Sequence, residues 1–236
     1  SGVTFNPAMF LRGDPDRYFG SFERFVEPAI QFAAETGAGR LTVTPANCYA
    51  RIAFQFENKV GDWSAWKQDF AKRTADTINR VAEKAAASQV VISVKNEYWS
   101  LLRDTGFDSF AQQLDPQVLL DVDTAHMAIQ AIDIPEGIGR MAGRIGSVHL
   151  TDTSYEDKTD GWKQDVNPEF PAARPTQVFR DPGLGTVDLA AAVEALSKTG
   201  FEGKYICSCR QTRDVYRALL RTRRLIRELA VSNYKR

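Results

Sequence analysis

The feature that most constrains this chain is an alternation: short apolar, β-type runs and longer segments of helical periodicity follow one another about six times, with no linker-like composition between them. Strands are expected over 2–6, 40–45, 89–96, 118–123, 145–151 and 204–209. Helices are expected over 18–36, 62–88, 107–114, 135–142, 187–198 and 214–230. Strand, helix, strand in this order is satisfied by a parallel sheet covered by its helices, either open and doubly wound or closed as a barrel. A closed barrel needs eight such units and typically about 250 residues. With six units in 236 residues, the first two βα units are expected to be missing at the N-terminus, where Ser1–Phe5 starts abruptly in an apolar stretch.

At 43% hydrophobic and 25% charged, residues 1–236 read as one ordinary domain large enough to bury a full core. Lys plus Arg and Asp plus Glu each number 30, so no net field draws in nucleic acid or an acidic membrane. Neither a run of about eighteen apolar residues nor a basic, hydrophobic leader is present, and Cys48, Cys207 and Cys209 form no CxxC pair. A reducing, cytoplasmic setting is the expectation. Cys207 and Cys209 are expected to face the helices as core residues. Arg213, Arg217, Arg221, Arg223, Arg224 and Arg227 recur at helical spacing and read as the wet face of the last helix.

Side chains alternate faces along a strand, so the polar faces can be read by parity. Ser93, Lys95 and Glu97 share a face, as do Leu119, Asp121 and Asp123; Ser147, His149 and Thr151; and Ile206, Ser208 and Arg210, with Thr42 and Thr44 possible from the second strand. Such groups are costly to bury without partners, metal or substrate, so they form a site or a solvated rim. Asp123 and His149 at adjacent strand ends suit a divalent metal, and equally a structural hydrogen bond. His126 is expected on the loop just beyond the strand, within reach of a substrate oxygen. Lys95 and Arg210 either hold an anionic substrate or pair with Asp121 and Glu97. The unpatterned stretch 154–184 reads as a lid or binding loop that carries Trp162, Lys163 and Arg174. Gly183-Leu-Gly-Thr-Val-Asp188 is a weak match to a phosphate cradle, lacking the P-loop lysine, and a turn into the helix explains it as well.

Four motifs stand in order: Asp123-Thr-Ala-His126, Val148-His149-Leu-Thr-Asp152, Gly183-Leu-Gly-Thr-Val-Asp188 and Gly200-Phe-Glu-Gly203. Together they resemble the sugar phosphate isomerase/epimerase superfamily of xylose isomerase-like TIM barrels, which includes inosose dehydratases and ketose 3-epimerases. The resemblance implies a TIM-type (β/α) barrel and a sugar or cyclitol isomerase, epimerase or dehydratase working beside a carbonyl through an enediolate. It also implies a divalent metal, Mn²⁺ or Mg²⁺ and alternatively Zn²⁺ or Co²⁺, on Asp123, His149 and Glu97. Lys95 and Ser208 fall where the family's two glutamate ligands would be. The roles implied are proton transfer or charge stabilisation for Lys95, Glu97 and His126, and substrate binding for His126, Arg210 and Trp162. The partners expected are a polyol or sugar-like small molecule and a possible second copy of the chain, without nucleic acid or membrane. The alternative is a metal-free member that serves as a binding or assembly subunit.

Overall fold

A computed structural model describes residues 2–6, 14–45, 59–95, 97–98, 100, 102, 107–157, 178–208 and 214–234. The described residues fall into two compact units that divide within one strand, the first ending at Asp121 and the second starting at Val122.

The first unit contains β1 (Val3–Phe5), α1 (Pro15–Glu35), β2 (Arg40–Val43), α2 (Trp63–Ala86), β3 (Val91–Lys95), α3 (Phe107–Gln112) and the start of β4 (Leu119–Asp123). Its strands are parallel in the order β1-β2-β3-β4, with Thr42 beside Ser93 and Lys95 beside Asp121 in register. Asp14 caps α1 by accepting from the backbone N–H groups of Asp16 and Arg17, and Asp62 caps α2 through Ala65. Gly37 and Gly39, both at positive φ, turn the chain from α1 into β2. Tyr18 and Phe19 of α1 pack with Phe70 of α2, with ring centroids 5.7 and 5.3 Å away, and Phe22 packs on Tyr18 at 6.0 Å. Arg73 and Arg80 of α2 reach back to Asp16 and Glu23 of α1 and tie the two helices at the surface. Leu41, Val43, Ile92 and Val94 are buried on one face of the sheet. The other face is also buried but polar, unlike the near-continuous hydrophobic runs usual in parallel strands.

The second unit continues from the end of β4 into α4 (Thr124–Ile129), α5 (Ile134–Arg140), β5 (Ile145–Leu150), β6 (Asp152–Thr153), β7 (Phe179–Arg180), α6 (Leu189–Lys198), β8 (Lys204–Cys207) and α7 (Val215–Tyr234). β5 and β8 are parallel, with His149 opposite Ile206, and β6 and β7 form a short antiparallel pair. Three of these elements depart from the sequence reading. α4 starts directly on its cap, Asp123, so the expected loop at His126 is a helix. β6 and β7, two residues each, lie where no strand was expected, because so short a pair carries no periodicity. Cys207 is only half-buried rather than a core residue, since Lys204, Tyr205 and Ile206 before it are exposed on both faces of β8. Cys48 and Cys209 lie outside the described residues. Among the described residues no helix is long and apolar enough to cross a membrane.

Candidate functional site

In the first unit the polar face of the sheet carries a hydrogen-bonded group around Asp121 and an ion pair beyond it. The Thr42 hydroxyl donates to Asp121 Oδ2 at 2.6 Å and lies 2.9 Å from the Ser93 hydroxyl. Arg40 supplies the opposing charge, 3.8 Å from Asp121 Oδ1. One step toward the carboxyl ends of the strands, Lys95 Nζ is 3.3 Å from Glu97 Oε1, and the two residues are 4% and 7% exposed. Asp121 is thus in contact with Arg40 and Thr42, and Lys95 with Glu97. The hydroxyl of Thr44, buried at the end of β2, has no hydrogen-bond partner among the described residues.

In the second unit Asp123 organises the start of α4. Its Oδ1 accepts from the backbone N–H of His126 at 3.3 Å and from the Thr151 hydroxyl, while His126 Nε2 stands 3.8 Å from Oδ2. Thr124 and Thr151 interlock: the Thr124 hydroxyl donates to the Thr151 carbonyl at 2.6 Å, and Thr151 N–H returns to that hydroxyl at 3.0 Å. His126 is 1% exposed, with its ring 5.1 Å from that of Phe179. The expected loop histidine is therefore a buried helical one, oriented by a carboxylate and an aromatic ring. His149 lies on β5, half-buried, with its main-chain carbonyl 3.2 Å from the Thr124 hydroxyl.

The glycine-rich motif has an occupant of its own. The backbone N–H groups of Gly183, Gly185 and Val187 donate to the carboxylate of Asp152 at 2.9, 2.9 and 3.1 Å, and Asp152 is fully buried. A Cβ on Gly185 would overlap that carboxylate and the Thr153 carbonyl. Those N–H groups face an aspartate of the chain itself, so the weak phosphate-cradle match is an internal anchor. Asp152 was not singled out by sequence; the pairing of a strand-end aspartate with a Gly-x-Gly-x-Val turn is the signal that finds it.

Of the three ligands that the resemblance implied, Glu97 lies in the first unit and Asp123 and His149 in the second. Among the described residues no three His, Cys, Asp or Glu side chains form a group able to hold an ion. Glu97, the third ligand expected, already neutralises the Lys95 ammonium. Arg210 and Trp162 lie outside the described residues.

Residues 3–229 match the family model described as xylose isomerase-like TIM barrel. An inosose dehydratase of Geobacillus thermodenitrificans is 27% identical over 158 residues, covering 65% of this chain and 52% of that protein. The chain thus spans about half the length of the curated relative it matches. A D-tagatose 3-epimerase-like protein superposes with a TM-score of 0.66 at 18% identity, over 99% of this chain and 78% of that one. The IOLI protein, solved with a bound zinc atom, superposes with a TM-score of 0.59 at 16% identity, over 86% and 66% of the two chains. These structural likenesses speak to the fold. With nearly its whole length matched, this chain belongs to the xylose isomerase-like TIM-barrel family.

Proposed function

We propose that this chain is a sugar- or cyclitol-transforming enzyme that moves a proton next to a carbonyl, and that Lys95 and Glu97 do this without a metal. The observation that carries the reading is the buried Lys95–Glu97 pair at the carboxyl end of β3, the end at which barrels of this kind place their chemistry. Similarity to an inosose dehydratase supplies the substrate class, a polyhydroxylated ketone.

Glu97 takes the proton from the carbon beside the carbonyl. The electron pair moves onto the carbonyl oxygen, and the Lys95 ammonium stabilises the enediolate that forms. Returning the proton to the neighbouring carbon, while the hydroxyl proton on that carbon passes to the former carbonyl oxygen, gives an isomer. Loss of a β-hydroxyl as water gives dehydration. The Thr44 hydroxyl is assigned to a substrate hydroxyl. The single domain over 1–236 is part of this proposal; residues 158–177 of the expected lid, with Trp162, Lys163 and Arg174, lie outside the described residues.

Incubation of the purified chain with D-tagatose and with an inosose, followed by proton NMR of the products, tests it. New isomers or a dehydrated product that disappear in Glu97→Gln support the reading. Unchanged substrate in every case leaves the second reading, a binding or assembly subunit, which the exposed apolar residues of α7 favour.

A further inference from the structure

The cation at the end of β3 is a lysine, and it is placed to do more than carry charge. An arginine there would stay protonated, whereas an ammonium that gives up a proton becomes a primary amine, a nucleophile toward carbonyl carbon. Lys95 is the last residue of β3 and stands in register with Asp121 of β4, so the strand ladder fixes the root of its side chain. Glu97 Oε1 lies 3.3 Å from Nζ, within reach to take a proton from the nitrogen and hand it to an atom bonded there. Moving that proton turns a buried ion pair into an amine and a carboxylic acid and leaves no charge behind, a change that burial favours. Beside the pair, Asp121 accepts from Thr42 and stands 3.8 Å from Arg40, so it has a cation of its own when Lys95 turns neutral.

We propose that Lys95 Nζ attacks the carbonyl carbon of a bound hydroxyketone and forms an iminium with it, so that the lysine serves as a covalent electron sink. This rests on the proposed function only in that the site at the end of β3 admits a ketone. The step balances with Glu97 as the proton carrier. Once the Nζ proton has passed to Glu97, the amine lone pair attacks the carbonyl carbon, and Glu97 gives that proton to the carbonyl oxygen. Glu97 then takes a second proton from the nitrogen and gives it to the new hydroxyl, which leaves as water. The products are an iminium on Lys95 and a Glu97 carboxylate. That carboxylate takes the proton from the neighbouring carbon, and the electron pair flows to nitrogen instead of oxygen, giving an enamine. The same steps in reverse, with water, free the lysine.

Reductive trapping tests this. The intact chain is incubated with D-tagatose or an inosose and sodium cyanoborohydride, which reduces an iminium to a secondary amine. The adduct carries a mass gain equal to the ketone less one oxygen atom, read by intact-protein mass spectrometry and placed by peptide mapping. The expected result is an adduct on Lys95 that forms about tenfold or more faster than on any other lysine, and about tenfold or more slower in Glu97→Gln. Mapping on the unsubstituted chain decides the matter even where Lys95→Arg fails to fold; a folded Lys95→Arg lacks the adduct. No adduct, one spread over the lysines at comparable rates, or trapping that Glu97→Gln leaves unchanged overturns the proposal. Deuterium exchange beside the carbonyl without a Lys95 adduct refutes the iminium and leaves the lysine acting through charge. A Lys95 adduct without exchange upholds the iminium and refutes the proton transfer at carbon.

Discussion

At the level of single residues, the account turns on a lysine and a glutamate that have little water around them. A buried ion pair is a weak source of stability but a strong constraint, because removing one partner leaves the other charge poorly compensated. Lys95→Met is therefore expected to destabilise the fold by about 3 kcal/mol, and the Lys95→Met/Glu97→Leu double variant by clearly less than the two single changes together. Urea denaturation of the four proteins measures this coupling. Thr44 is the opposite case, a buried hydroxyl without a partner among the described residues. Thr44→Val should leave stability unchanged or raised while increasing KM about tenfold, the loss of one hydrogen bond to substrate. An unchanged KM would remove Thr44 from the site. Parity along the strands made Lys95, Glu97, Asp121 and Thr42 legible in sequence, because alternation alone puts them on one face. It did not choose among partners. That Asp121 goes to Thr42 and Arg40 is decided by strand register, which sequence periodicity does not carry.

Among the secondary-structure elements, the long helices and the central strands were legible because each carries its own pattern and punctuation: Asp62 at a helix start, Gly37 and Gly39 at a helix end, while Asp14, read from sequence as part of a turn, caps α1, which starts three residues before the expected position. α4, at six residues, is too short to show a helical period, and its cap doubles as the last residue of β4. The burial of His126 was illegible for a related reason: the ring it meets, Phe179, comes from a strand of two residues that returns from far along the chain. Asp123 therefore has a structural duty that must be separated from any chemical one. Asp123→Ala is expected to cost about 1–2 kcal/mol through the lost cap, and Asp123→Asn, which caps nearly as well, only a few tenths. Thermal denaturation ranks the two. Should Asp123→Asn keep stability yet lose turnover, the carboxylate charge beside His126 is needed for the reaction; equal stability and turnover would confine Asp123 to capping.

For the molecule as a whole, the alternation of strands and helices announced a parallel α/β fold, and membership of the xylose isomerase-like TIM-barrel family agrees with it. The chemistry was less legible: the family resemblance implied a divalent metal, whereas what the structure shows at the end of β3 is a lysine paired with a glutamate. Lys95 brings a positive charge to the strand ends, and Glu97 answers it. The claim that this pair replaces metal-assisted proton transfer is tested most directly by solvent exchange. The chain is incubated with an inosose or D-tagatose in D₂O containing a chelator, and deuterium on the carbon next to the carbonyl is followed by NMR. The account predicts incorporation that persists under chelation and falls by about 10²–10⁴-fold in Glu97→Gln. Exchange that requires added Mn²⁺ or Zn²⁺, or that survives Glu97→Gln unchanged, would contradict it.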